Sequence, residues 1–213
     1  MTQPLLILGT YRLAIEVMDL VSEIDGYVLA GFVENLDRTR CANLLEGYPV
    51  YWIDELPKFV DTHLGICAMT TTHRKGYVEQ AAALGLRFAT LVHPTARVSS
   101  RATLGEGTFV SAMATIATHT TLGRSVYVNR GAMIGHHTTI GDYCTIQPGA
   151  NVAGAITMGE QTYVGMGAMV VDQHTVGKGC VIGAGAVVIN DLPDHVLAVG
   201  VPAKIVKTDI EAK

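Results

Sequence analysis

From Val98 to Val188 an apolar residue recurs at every sixth position. The series runs Val98, Leu104, Val110, Ile116, Leu122, Val128, Ile134, Ile140, Ile146, Val152, Met158, Val164, Val170, Val176, Ile182 and Val188, with no block skipped or padded. The next position is often glycine, as at Gly105, Gly123, Gly135, Gly141, Gly159, Gly165, Gly177 and Gly183. A strict short period marks a solenoid, and a period of six marks a parallel β-helix. Three blocks make one triangular coil. The block-opening residue points into the shaft, and coils stack at the strand spacing of roughly 4.8 Å. Residues eighteen apart then lie one above the other on neighbouring coils.

Residues 1–92 follow other periods. Residues 4–9 form an apolar run ending in glycine, a buried strand by composition. Arg12 to Ile24 carries Leu13, Val17, Leu20, Val21 and Ile24 at helical spacing. Tyr27 to Val33 reads as a second strand, followed by a turn-rich connector and a short helix within Trp52 to Val60. Leu64 to Met69 is a third strand, Arg74 to Leu84 a second helix ended by Gly85, and Arg87 to Val92 a fourth strand. That order predicts a small parallel α/β sheet, Rossmann-like in outline. His93-Pro94 sets the boundary, because proline restrains the residue before it. Two domains are expected, 1–92 and 93–213.

Composition narrows the function classes. The chain is 49% hydrophobic with a net charge of -4, and its mean hydropathy is +0.32. Nothing in that balance offers a basic footprint for nucleic acid or a basic amphipathic surface for a membrane. No apolar run reaches transmembrane length, and Met-Thr-Gln-Pro lacks the features of a signal peptide. Cys41, Cys67, Cys144 and Cys180 show no CxxC spacing and read as reduced thiols, which points to the cytoplasm.

An α/β sheet binds ligands at the carboxyl ends of its strands. The loop after the first strand is Gly9-Thr10-Tyr11-Arg12-Leu13-Ala14, which lacks two glycines of G-x-G-x-x-G. That departure argues against a dinucleotide. Arg12 would instead meet a phosphate directly, or stand solvated at a tight turn. Glu34 and Asn35 end the second strand, where such folds hold a ribose or base.

In the solenoid, the eighteen-residue rule stacks His136 over Thr118 and under Gly154, and His137 over His119 and under Ala155. Acyl transfer needs a base near neutral pH and a preorganised N–H for the oxyanion. His136 and Gly154 meet both needs, since a glycine leaves its backbone N–H open to a bulky acyl group. A solvated corner histidine is the plain alternative. His119 and His174 read as surface residues.

The tandem [LIV]-G-x-x-x-x blocks and the closing Val199-Gly-Val-Pro-Ala-Lys204 resemble the left-handed β-helix acyltransferases. A small α/β domain set directly before such a helix resembles, over nearly the whole chain, the bacterial sugar acetyltransferases of bacillosamine and sialic-acid pathways. The resemblance implies an α/β nucleotide-sugar domain followed by an all-β left-handed parallel β-helix. It implies acetyl-CoA as co-substrate, a nucleotide-linked amino sugar as acceptor, and a homotrimer with each site between two subunits. It places sugar-nucleotide binding on Gly9, Thr10, Tyr11 and Arg12, and on Glu34 and Asn35, with Asn129 lining the sugar pocket. His136 becomes the general base, within Ile134-Gly135-His136-His137. The family carries a carboxylate where this chain has His137, which stands with His136 and Gly154 as a catalytic candidate, and a histidine near the acetyl carbonyl where it has Thr145. Gly154, Met166 and Ala184 match positions that contact acetyl-CoA, and Lys204 is either a CoA-phosphate ligand or a solvated lysine.

Three further readings stay open. The first is O-acetylation of a sialic-acid-like hydroxyl, which leans harder on its base than an amine does. The second is a γ-type carbonic anhydrase, whose zinc needs a histidine spacing that His119, His136, His137 and His174 do not give. The third is a binding scaffold without catalysis.

Overall fold

A computed structural model describes residues 2–211 and 213. The α/β part comprises β1 (Gln3–Leu8), α1 (Arg12–Ser22), β2 (Tyr27–Glu34), β3 (Val50–Trp52), β4 (Leu64–Cys67), α2 (Arg74–Ala83) and β5 (Arg87–Phe88). Its five strands are all parallel, in the order β3-β2-β1-β4-β5. The centre of β1 is covered on both sides, so Leu5, Leu6, Ile7 and Leu8 are fully buried. Helix α1 presents Ala14, Val17 and Val21 to that sheet, as the apolar spacing requires.

Two elements differ from expectation. Val50–Trp52 is a strand rather than connector, and the short helix after it is a 3-10 turn, Ile53–Lys58. The segment expected as one fourth strand is divided. Arg87–Phe88 completes the α/β sheet, and Leu91–Val92 opens the solenoid.

The solenoid has three flat faces of two-residue strands. The first face runs from Leu91–Val92 to Leu197–Val199, the second from Arg97–Val98 to Val187–Val188, and the third from Thr103–Leu104 to Thr175–Val176. Pairing is parallel at intervals of eighteen, as in Ile116↔Ile134↔Val152↔Val170. The block-opening residues from Val110 to Val188 are all buried in the shaft, with Val98 and Leu104 partly buried at its mouth. Position five of each block also points inward. Where it is threonine the hydroxyl donates to a carbonyl of the next coil: Thr108 to Gly123 at 2.9 Å, Thr120 to Gly135 at 2.8 Å, Thr162 to Gly177 at 2.8 Å. Every buried hydroxyl in that set is therefore paired.

The faces are chemically distinct. The third presents Thr103, Thr121, Thr139, Thr157 and Thr175, all exposed. The second presents Met133, Asn151, Met169 and Val187. The first is covered near its start by the α/β part, so Leu91, Phe109, Tyr127 and Thr145 are buried. The joint is held by Arg74, which is 1% exposed. Its Nε donates to Ser125 O at 2.8 Å, its Nη1 to Thr71 O at 2.9 Å and to Thr145 Oγ1 at 2.6 Å, and its Nη2 to Cys144 O. Burial pulls its pKa down to about 10, which still leaves a cation at neutral pH.

Removing that guanidinium strands several buried acceptors at once. Arg74→Ala should lower unfolding free energy by about 3 kcal/mol or more, at 1–3 kcal/mol per orphaned group. Chemical denaturation measures this, and a variant as stable as the parent would show that the joint is held otherwise.

Candidate active site

The corner between the second and third faces carries the histidines. Ile134 ends a strand and Gly135 follows. At Gly135 a methyl group would lie 2.5 Å from Ala153 C, so only glycine lets the two coils meet there. His136 and His137 then turn the corner, both exposed. His137 adopts φ 55°, as do its column neighbours His119 at 56° and Ala155 at 56°. The backbone is pinned by His137 N–H to Thr118 O at 3.0 Å and by Ala155 N–H to His136 O at 2.8 Å.

The imidazole of His136 lies against Gly154, one coil on. A methyl group on residue 154 would stand 2.7 Å from His136 Cε1 and 2.9 Å from Nε2. Among the described residues no backbone acceptor takes the Gly154 N–H, while its carbonyl accepts from Gln173 N–H at 3.0 Å. An imidazole and a free peptide N–H thus sit together on an open corner. His136 Nδ1 is 3.1 Å from His137 Nδ1, and the His119 and His137 rings stack at 4.9 Å. His174 stands apart and meets Asp191 at 3.0 Å. Among the described residues no three His, Cys, Asp or Glu side chains cluster as a metal site.

A groove of about 510 Å³ opens below this corner, lined by Arg97, Ser99, Ser100, Thr115 and Thr118 among others. Thr118 belongs to the His136 column, and its hydroxyl is buried without a partner. The sequence signal for Ser100 and Thr118 was the eighteen-residue rule itself, applied downward from His136.

A cavity of about 250 Å³ lies at the carboxyl edge of the α/β sheet. Gly9, Tyr11 and Leu13 line it from the first loop, and Glu34, Asn35 and Leu36 from the second. Sequence reasoning missed its third wall, Ala68 to Thr71, which follows β4, although the carboxyl-edge rule applies to that strand too. Thr10 and Arg12 do not line this cavity. Thr10 is buried with its hydroxyl on Glu34, and Arg12 is exposed at the start of α1.

Glu34, expected beside a ribose or base, lines the cavity and also braces its wall. It is 2% exposed. One carboxylate oxygen accepts from the Thr10 hydroxyl, and the other from the N–H groups of Asn35, Leu36 and Asp37 at 3.0, 2.8 and 3.3 Å. Both oxygens are occupied in shaping the cavity wall. Asn35 keeps its carbonyl oxygen free, its Nδ2 donating to Gln80 at 3.0 Å. Arg40, unmarked by any motif, donates to Thr10 O at 3.0 Å and lies 3.9 Å over the Tyr11 ring.

The remaining expected residues fall elsewhere. Thr145 is fully buried on the first face beneath Arg74, which removes it from any acyl carbonyl at the His136 corner. Asn129 is 5% exposed, with its amide spent on Gln147 at 3.2 Å and the Arg130 N–H at 2.8 Å. Met166 and Ala184 share a column at the corner between the first and second faces, across the second face from His136 and Gly154. Met166 is 59% exposed there. Lys204 is exposed at the far end, in a strand (Lys204–Lys207) rather than a helix.

Residues 119–154, which include both His136 and Gly154, match the family model for bacterial transferase hexapeptide (six repeats). No curated protein sequence matches the chain. Solved structures do. Perosamine N-acetyltransferase from Caulobacter crescentus, solved with CoA and GDP-perosamine in a variant with one histidine replaced by asparagine, is 31% identical. It has a TM-score of 0.88, with 97% of each chain covered. The acetyltransferase domain of PglB from Neisseria gonorrhoeae, solved with acetyl coenzyme A, is 30% identical at TM-score 0.88, over 97% of this chain and 100% of that one. WeeI from Acinetobacter baumannii is 26% identical at TM-score 0.85, over 96% and 100%. The repeat and its corner define a hexapeptide transferase, and its β-helix is left-handed. More narrowly, the chain belongs to the hexapeptide-repeat sugar acetyltransferases.

Gly154→Ala tests the corner. The same column holds Thr118, His136 and Asp172, so the backbone accepts a side chain there. The new methyl displaces only the imidazole, and a misplacement near 1 Å costs about a hundredfold in rate. Acetyl transfer should fall by about that factor with the unfolding midpoint unchanged, while full activity would detach Gly154 and His136 from the chemistry.

Proposed function

We propose that the protein transfers the acetyl group of acetyl-CoA to the amino group of a nucleotide-linked amino sugar. The observation that carries this reading is the His136 imidazole lying on Gly154 beside an unused peptide N–H. The amine attacks the thioester carbonyl, His136 takes a proton from the attacking nitrogen, and CoA thiolate leaves. The Gly154 N–H is the donor offered to the tetrahedral oxyanion. The α/β part, ending before Leu91, holds the nucleotide in the 250 Å³ cavity, and the solenoid that Leu91–Val92 opens carries acyl transfer. Two of the structural relatives were solved with CoA or acetyl-CoA, and one of them with GDP-perosamine, which supports both substrates by analogy. An amine suits the corner better than a hydroxyl, because His136 has no carboxylate to strengthen it.

The acting unit is a homotrimer. His136 and Gly154 stand at one edge of the second face, Met166 and Ala184 at the other. One CoA touches both sets when two copies align these edges. The face between them carries two exposed methionines, Met133 at 45% and Met169 at 51%, on either side of Asn151. Among the described residues no helix is long and apolar enough to cross a membrane. All four cysteines are free thiols, which suits the reducing cytoplasm.

His136→Ala should lower turnover by about a hundredfold or more, the scale for losing a general base, with acetyl-CoA binding kept. Mass spectrometry of products from acetyl-CoA and a panel of nucleotide-linked amino sugars reads the reaction directly. Near-normal turnover in the variant would reject the role. Met169→Glu should turn the trimer into monomers by analytical ultracentrifugation and abolish transfer at the same time. Active monomers would refute the shared site.

A further inference from the structure

The His136 corner contains a second imidazole in hydrogen-bonding distance, and the transfer step above leaves it without a task. Nδ1 of His136 and Nδ1 of His137 are 3.1 Å apart, with the rings nearly perpendicular at 82°. A hydrogen bond between two ring nitrogens requires one N–H and one lone pair, so the two residues hold opposite tautomers. Both rings are fixed. His136 is pressed on Gly154. His137 has its backbone bonded to Thr118, and its ring stacks on His119 at 4.9 Å, 34° from parallel.

We propose that His137 is the positioning residue of this enzyme: it accepts the Nδ1–H of His136 and so presents the His136 Nε2 lone pair to the acceptor amine. This rests on the reading of His136 as the base. It assigns to a neutral imidazole the task that an acidic side chain usually performs for a catalytic histidine. The groups facing the pair are few. His119 lies below His137, Ala155 stands above it, and Gly154 lies against His136. The acidic residue of the His136 column, Asp172, is two coils up and accepts from Gln173 Nε2 at 2.8 Å. Among the described residues no carboxylate bonds either ring.

The arrangement has a consequence for protons. When His136 Nε2 takes a proton from the amine, its Nδ1–H can pass to His137 Nδ1. The positive charge then rests on His137, whose Nε2–H gives the proton to solvent. At the first two stages one N–H bond breaks and one forms, and at the last an N–H bond breaks as solvent water gains the proton. The reverse sequence, with His136 Nε2–H protonating the CoA thiolate and His137 Nε2 taking a proton from solvent, restores the starting tautomers. The exposure of His137 is what this exit requires.

The test uses His137→Ala, His137→Asn and His137→Glu in the full-length protein. Ala155 holds the same left-handed conformation one coil up, so alanine fits residue 137 without refolding the corner. His137→Ala should lower kcat at least about tenfold, within the roughly 10²–10⁴ that a general base supplies, and leave KM for acetyl-CoA unchanged. His137→Asn, whose carbonyl oxygen accepts the same N–H, should recover most of that loss. His137→Glu should move the acid limb of the kcat profile to higher pH, because a nearby anion favours the protonated ring. Nitrogen-15 chemical shifts should show His136 protonated at Nδ1 in the parent and moved toward the Nε2–H form in His137→Ala. That readout needs no turnover, so it separates this proposal from the assignment of His136 as base. Unchanged kcat, pH profile and His136 nitrogen shifts across all three variants would overturn it, as would loss of kcat in His137→Asn equal to that in His137→Ala.

Discussion

The structure depends on the repeat distance between coils. Each two-residue strand pairs in parallel with the strand eighteen residues on, and the shaft residue stacks on its equivalent above and below. Burying one aliphatic side chain contributes about 1.5–3 kcal/mol, and the shaft repeats that gain at every block. A register slip of one residue would turn every such side chain outward. The stack therefore sets the height of each corner residue, and the left-handed corners at His119, His137, Ala155 and Gln173 are tolerated as its cost. Where the register shortens, at Val176↔Leu192 and Ile182↔Ala198, the solenoid is at its last turn and the tail folds back as an antiparallel strand.

Chemistry is distributed over this prism by face. The first face is occupied by the α/β part, with Arg74 tying three solenoid acceptors, Ser125 O, Thr145 Oγ1 and Cys144 O, across the joint. The third face is a file of exposed threonines with nothing ionisable on it. The second face carries exposed Met133 and Met169, and its two edges hold the His136–Gly154 pair and the Met166–Ala184 column. The proposed transfer site uses those two edges. In the proposed reaction the α/β cavity is a separate pocket for the part of the acceptor that does not react, which is where remote binding energy is most useful to catalysis.

Periodicity made much of this legible. The shaft residues, the stacking of His136 on Gly154 and the parallel α/β order all follow from spacing, and the coordinates hold each of them. What spacing could not supply was the identity of partners. The place of Glu34 at a strand end was readable, but not that three backbone N–H groups of its own loop share one of its carboxylate oxygens. Thr145 occupies an outward position, which normally means solvent, and is buried because the α/β part packs on that face. Asn129 points toward Gln147 in its own column. Val50–Trp52 was hidden because three residues are too few to show a period. In each case the deciding interaction is long-range or involves backbone, and neither leaves a trace in a single sequence.

The missing carboxylate beside His136 has a physical sense for an amine acceptor. An amino sugar near neutral pH is largely the ammonium form, which has no lone pair and cannot attack. A fixed anion about 4 Å from that nitrogen would hold the ammonium by about 4 kcal/mol at an effective dielectric of 20, and so would favour the unreactive state. A carboxylate stabilises the imidazolium formed during transfer, but it stabilises the wrong form of the substrate beforehand by the same attraction. In the proposed arrangement His137 orients His136 without that attraction, and the proton leaves through His137. The corner thus offers an orienting partner with no fixed negative charge, beside which the free amine is not disfavoured.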